Sequence, residues 1–100
     1  MDPNFGKVIW TNHALERLRQ RRISQSDAWA TWRNPERSKK GTASGSRVYY
    51  RRYGKTRIEV VAKQNERHEW VILSVWSSSA SENKNAPESF WRFIIKRIFR

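Results

Sequence analysis

The chain has 100 residues, 37% of them hydrophobic, with 21 Lys and Arg against 9 Asp and Glu and so a formal net charge of +12. That length fits one domain of ordinary size, and the lack of cysteine excludes disulfides, thiolate zinc sites and iron–sulfur centres. Two histidines and few carboxylates leave no metal or cofactor site to expect; no run suits a membrane span and no signal peptide opens the chain, so a cytoplasmic protein with an anionic partner is expected.

In chain order the pattern predicts an α+β domain over residues 1–76: a short N-terminal strand, two helices, then an antiparallel β-meander of three or more strands. A linker follows over 77–88, and a basic amphipathic C-terminal helix over 89–100. After the lead-in Met1 to Lys7, Lys7-Val8-Ile9-Trp10 is a brief apolar strand, and Thr11 or Asn12 is placed to cap a helix. From His13 to Arg22, Ala14, Leu15 and Leu18 fall on one helical arc. Ser24 to Asp27 resembles a capping box, with the Asp27 carboxylate near the positive end of the second helix. Ala28, Trp29 and Trp32 form that helix's apolar face, and Asn34-Pro35 stops it.

Glu36 to Ser46 holds Lys39-Lys40-Gly41 and Ser44-Gly45-Ser46 without a large apolar side chain, and reads as a flexible basic loop. Arg47 to Tyr53 is rich in β-favouring aromatics, Gly54-Lys55 is a turn, and Thr56 to Lys63 is strand-like. In that strand Ile58, Val60 and Ala62 share one face, while Arg57, Glu59, Val61 and Lys63 share the other. The third strand, Glu69 to Trp76, is apolar on both sides. Strict alternation sets Trp70, Ile72 and Trp76 against Val71, Leu73 and Val75, which suggests a central position. Beyond the Ser- and Asn-rich linker, Phe90, Trp91, Ile94, Ile95, Ile98 and Phe99 alternate with Arg and Lys. Such a helix would dock on the sheet, recruit a partner, or touch an anionic membrane surface.

The first helix carries the most specific chemistry. His13, Arg17 and Arg21 follow at four-residue steps along one flank, bordering the apolar arc. Guanidiniums beside an imidazole disfavour its charged form and offer a clamp for phosphate, so a neutral His13 has the setting of a general base. The bland alternative is a histidine packed against a strand, with the arginines as solvated charge. The strand Arg47 to Tyr53 interleaves cations and rings: Arg47, Tyr49, Arg51 and Tyr53 on one face, Val48, Tyr50 and Arg52 on the other. Arginine beside tyrosine is the composition of an RNA-binding platform, and equally of an edge strand kept soluble by charge. With Lys39 and Lys40 just before it, the candidate nucleic-acid-binding set is Arg21, Lys39, Lys40, Arg47, Tyr49 and Arg51. His68 reads as a solvated turn residue, and Glu59 with Arg57 as a surface ion pair.

The string Thr11-Asn12-His13-Ala14, then Arg17, Arg21 and Ile23-Ser24, then Asn34-Pro35 and a strand ending in Ile72-Leu73-Ser74-Val75-Trp76, resembles domain-of-unknown-function family 4258 over about residues 8–76. That family looks related to the RelE/ParE toxin fold and to the wider group of barnase, EndoU and colicin-type nucleases. The resemblance implies a small bacterial toxin-like domain, often a metal-independent ribonuclease neutralised by an acidic antitoxin or immunity protein. His13 and Arg17 match the helix motif and Arg21 its later arginine. Arg22 stands where the family often has Gly, and Ser74 where it has Thr. The expected function is endoribonuclease on RNA, with catalytic candidates His13 as base or acid, Arg17 and Arg52 as phosphate stabilisers, and Tyr50 as proton donor or stacking platform. A non-catalytic nucleic-acid or partner-binding module, or a ParE-like gyrase inhibitor, is the alternative.

Overall fold

Thr11 joins the first strand to the first helix. Its hydroxyl accepts from Ala14 N–H at 3.0 Å, satisfying an orphan amide of the helix start, and donates to Leu73 O at 3.1 Å on a strand 62 residues away. The computed structural model describes residues 2–79. The elements are a 3-10 turn (Phe5–Lys7), β1 (Ile9–Trp10), α1 (Asn12–Gln20), α2 (Gln25–Arg33), β2 (Arg37–Lys40), β3 (Arg47–Tyr53), β4 (Thr56–Gln64) and β5 (Trp70–Ser79). Ser24 caps α2 as predicted, accepting from Asp27 N–H at 3.1 Å. Phe5 of the lead-in packs edge-on against Trp10 and Trp29. Gly6 makes this possible: its φ is +71°, and a side chain there would collide with the Trp29 indole.

The fold expected from the sequence is incorrect as a whole: β3, β4 and β5 do pair antiparallel as a meander, but they are only part of the sheet. The sheet is mixed and five-stranded, in the order β1-β5-β4-β3-β2, with β1 parallel to β5 through Ile9↔Val71 and Trp10↔Ile72. The segment read as a loop from Glu36 contains edge strand β2, antiparallel to β3 from Arg37↔Tyr50 to Lys40↔Arg47. All four β2 residues are exposed, so backbone pairing holds the strand rather than burial, and no hydrophobic pattern announces it. The C-terminal helix predicted over 89–100, and the linker beyond residue 79, lie outside the described residues.

Both helices pack on one face of the sheet. Ala14, Leu18, Ile23 and Ala28 meet Trp10, Ile58, Val60, Ala62, Ile72 and Val75 there, nearly all excluded from solvent. Val48, Val61 and Leu73 form a smaller cluster on the other face, with Tyr50, Val71 and Trp76 half-buried around it. A β-bulge divides β5 between these faces. Val61 pairs with Ser74 but Ala62 with Ile72, leaving Leu73 as the extra residue. Strict alternation therefore fails after Ile72. Val75 joins the helix-side core, and Trp76 swings to the second face opposite Glu59.

Candidate nucleic-acid interface

The two faces of β3 have different fates. Tyr49 stacks edge-on to Trp70, with ring centroids 6.4 Å apart, on the helix side. Burial pushes its phenol pKa up, partly opposed by the Arg47 charge. The Tyr53 hydroxyl donates to Asp27 O at 3.2 Å and lies 3.1 Å from the buried Thr31 hydroxyl. Arg51 donates to Asn34 O at 3.0 Å at the end of α2, and Arg47 to the Ser38 hydroxyl at 3.1 Å. Lys40, paired with Arg47, shares this side by register. Four of the predicted nucleic-acid-binding residues (Lys40, Arg47, Tyr49 and Arg51) thus face the helix layer or its margin.

Tyr50, Arg52 and Lys39 lie on the second face. Cross-strand pairing aligns Arg37, Tyr50, Glu59 and Trp76 in one row, and sets Arg52 directly opposite Arg57 in the next. Glu59 is only 3% exposed. Its Oε2 accepts from Arg57 Nη2 at 2.7 Å and Nε at 3.1 Å, and the same guanidinium lies 4.9 Å from the Tyr50 ring centroid. The Arg52 backbone N–H donates to Glu36 Oε1 at 3.2 Å, while its guanidinium lies 3.8 Å from that oxygen and its side chain stays largely exposed. Glu59 is therefore a buried carboxylate, not the surface ion-pair member predicted. Its alternation with Arg57 was visible in sequence, but its depth was not.

The third group gathers at the edge of β5. Past Ile72 that edge has no strand beside it among the described residues, and α1 supplies partners instead. Arg21 Nη2 donates to Ser77 O at 2.6 Å while its guanidinium lies 3.7 Å from the Trp76 ring centroid. Arg17 lies 5.9 Å from the same ring, and its Nε–H donates to His13 Nε2 at 3.4 Å. A guanidinium nitrogen can only donate, so Nε2 is the acceptor of this contact. His13 also lines a groove of about 540 Å³ with Asn12, Leu15, Glu16 and Arg19. The four-residue spacing is thus realised as contact: His13 to Arg17, and Arg17 with Arg21 to Trp76. Strict alternation sets Trp76 on the side of Ile72, because the bulge that moves it to the second face leaves no local signal.

A larger groove of about 680 Å³ at the β4–β5 turn, between Lys63, Glu69, Val71 and Leu73, contains none of the predicted site residues. His68 is exposed in that turn. The Ser74 hydroxyl is buried without a hydrogen-bond partner among the described residues. No three His, Asp or Glu side chains gather in metal-binding geometry among them either, and none of their helices is long and apolar enough to cross a membrane.

Two helices on one face of a mixed sheet, with arginines and aromatic rings gathered on the other, define a small α+β domain with one basic, aromatic sheet face. The chain belongs to the family described as Domain of unknown function (DUF4258), whose model matches residues 10–77. No curated protein and no solved structure matches it.

Proposed function

We propose that the chain is a toxin-like, metal-independent endoribonuclease that holds RNA on the second sheet face and cuts it at the β5 edge. The observation carrying this reading is the Arg17–His13 hydrogen bond: an imidazole with its Nε2 lone pair turned to a guanidinium, at the rim of a basic and aromatic surface. As Arg17 turns from His13 onto the phosphate, the freed Nε2 lone pair would take the proton of the ribose 2′-hydroxyl while that oxygen attacks phosphorus. The bond to the 5′-oxygen breaks, that oxygen leaves with a proton taken from solvent water, and a 2′,3′-cyclic phosphate remains. Arg17 stabilises the charge gathering on the phosphoryl oxygens. Arg52 and Tyr50 lie two strands away from Trp76, suited to the flanking phosphate and base. The helix-pair-on-sheet arrangement supports a RelE/ParE-like fold, and the charge supports an acidic antitoxin as partner.

RNA incubated with the protein in EDTA tests this. Wild type is expected to yield 2′,3′-cyclic ends, and His13→Ala to lose about 10²–10⁴-fold in rate, the usual contribution of a general base. Intact RNA with salt-sensitive binding would replace the enzyme by a binding module. RNA spared while DNA supercoiling fails would point to a gyrase inhibitor.

A further inference from the structure

Arg52 and Arg57 are directly opposite one another across β3 and β4, on the same face. Like charges so placed destabilise a sheet, and other arrangements of this chain's many cations would avoid the clash. The sheet retains the pair by two unequal devices. Glu59, 3% exposed, grips Arg57 through two nitrogens on one carboxylate oxygen, while Glu36 accepts from the Arg52 backbone N–H at 3.2 Å and leaves its guanidinium at 3.8 Å. Burying a carboxylate to hold an arginine costs desolvation, and an apolar residue on β4 would avoid that cost. The result is an Arg57 whose rotamer is fixed while its Nη1 has no bond among the described residues. Its side chain stays 47% exposed and that of Arg52 74%.

The geometry points to an Arg52–Arg57 clamp for one backbone phosphate of single-stranded RNA, with Glu59 as a positioning residue and Tyr50 beside it as the platform for the adjoining base. The inference rests on the proposed RNA substrate. Guanidiniums match phosphate oxygens with paired N–H donors, which an ammonium cannot do. Arg57 already lies over the Tyr50 ring, so a base beside the phosphate meets a surface of guanidinium and phenol, the pairing that serves unstacked RNA bases. Lys39 and Arg37 on β2 extend the charge along the same face without providing the fixed fork.

The test is fluorescence anisotropy with a fluorescein-labelled oligouridylate carrying 2′-O-methyl sugars, which cannot be cut by 2′-oxygen attack. Arg57→Lys keeps the charge and removes the fork. It is expected to weaken binding by about tenfold with an unchanged salt slope, while Arg33→Lys, at an exposed position of α2, leaves both unchanged. Tyr50→Ala is expected to weaken binding by about 5- to 100-fold, the usual contribution of one stacked base. Glu59→Gln is expected to follow Arg57→Lys, with circular dichroism checking its fold; if it unfolds, Arg57→Lys decides alone. Arg57→Lys binding like wild type overturns the clamp and reduces the face to diffuse charge. Should the clamp variants lose binding while wild type leaves native RNA uncut, the clamp stands and the endoribonuclease reading falls. If RNA is cut and Arg57→Lys binds and cuts like wild type, the opposite holds.

Discussion

Replacing Arg21 by Ala separates a structural arginine from a phosphate contact. Arg21 was a candidate for nucleic-acid binding, yet its Nη2 is committed to Ser77 O at 2.6 Å and its guanidinium plane to Trp76 at 3.7 Å. A hydrogen bond from a charged donor contributes about 1.5–3 kcal/mol, and a partly desolvated cation–π contact about 1–2 kcal/mol. Against these stands the buried Arg21 Nε, which has no partner among the described residues and costs about 1–2 kcal/mol. The balance predicts that Arg21→Ala lowers unfolding free energy by about 2 kcal/mol, a fall in Tm of about 8–16 °C for a domain of this size. Urea unfolding followed by tryptophan fluorescence measures it, with Trp76→Leu completing a double-mutant cycle. The coupling between the two positions is expected at about 1 kcal/mol. Oligonucleotide binding, measured where both proteins are folded, should keep the wild-type salt slope. An unchanged urea midpoint together with a slope reduced by about 0.7, the loss of one single-strand phosphate contact, would refute this reasoning.

Two further outcomes test the helix side. Thr31→Val and Tyr53→Phe should each lower stability by about 1 kcal/mol, and the double variant by less than the sum, because the two hydroxyls lie 3.1 Å apart and converge on Asp27 O; full additivity in urea would show that they act independently. Tyr49 has a raised pKa, so the folded state keeps its phenolic proton longer than the unfolded chain does. Its contribution is therefore present below about pH 10 and lost as pH climbs through the folded value, so Tyr49→Phe should flatten the alkaline fall in urea midpoint relative to wild type.

What could be read from the sequence was local. The caps at Thr11 and Ser24, the buried arcs of Ala14, Leu18 and Ala28, and the alternation of Ile58, Val60 and Ala62 depend on neighbours a few residues apart, and all are seen. The parallel β1–β5 pair joins residues about sixty apart, and β2 is held by backbone bonds alone, so neither writes a pattern into its own side chains. The bulge at Leu73 has the same character. One extra residue exchanges Val75 and Trp76 between faces, and the register of β4, not the composition of β5, decides it. The site divides along the same line. His13, Arg17 and Arg21 were legible because a helix brings four-residue neighbours together. On β3, alternation separated Tyr49 from Tyr50 but could not say which ring meets the helices. That is settled by Trp70 and by the Asp27 and Thr31 groups that receive Tyr53.

The two-residue strand β1 has a consequence for the order in which the molecule is made. Nothing between residues 11 and 69 can complete the layer under α1, because Ile72 and Val75, which floor it, belong to β5, the last strand among the described residues. Both helices are nine residues long, too short to persist alone in water. The N-terminal third of a growing chain therefore waits as an unsatisfied amphipathic segment until the final strand arrives and β1 closes beside it. Such non-local closure is slow compared with local contacts. Until β5 is in place, the apolar arcs of Ala14 and Leu18 lack the Ile72 and Val75 side chains that cover them in the folded sheet.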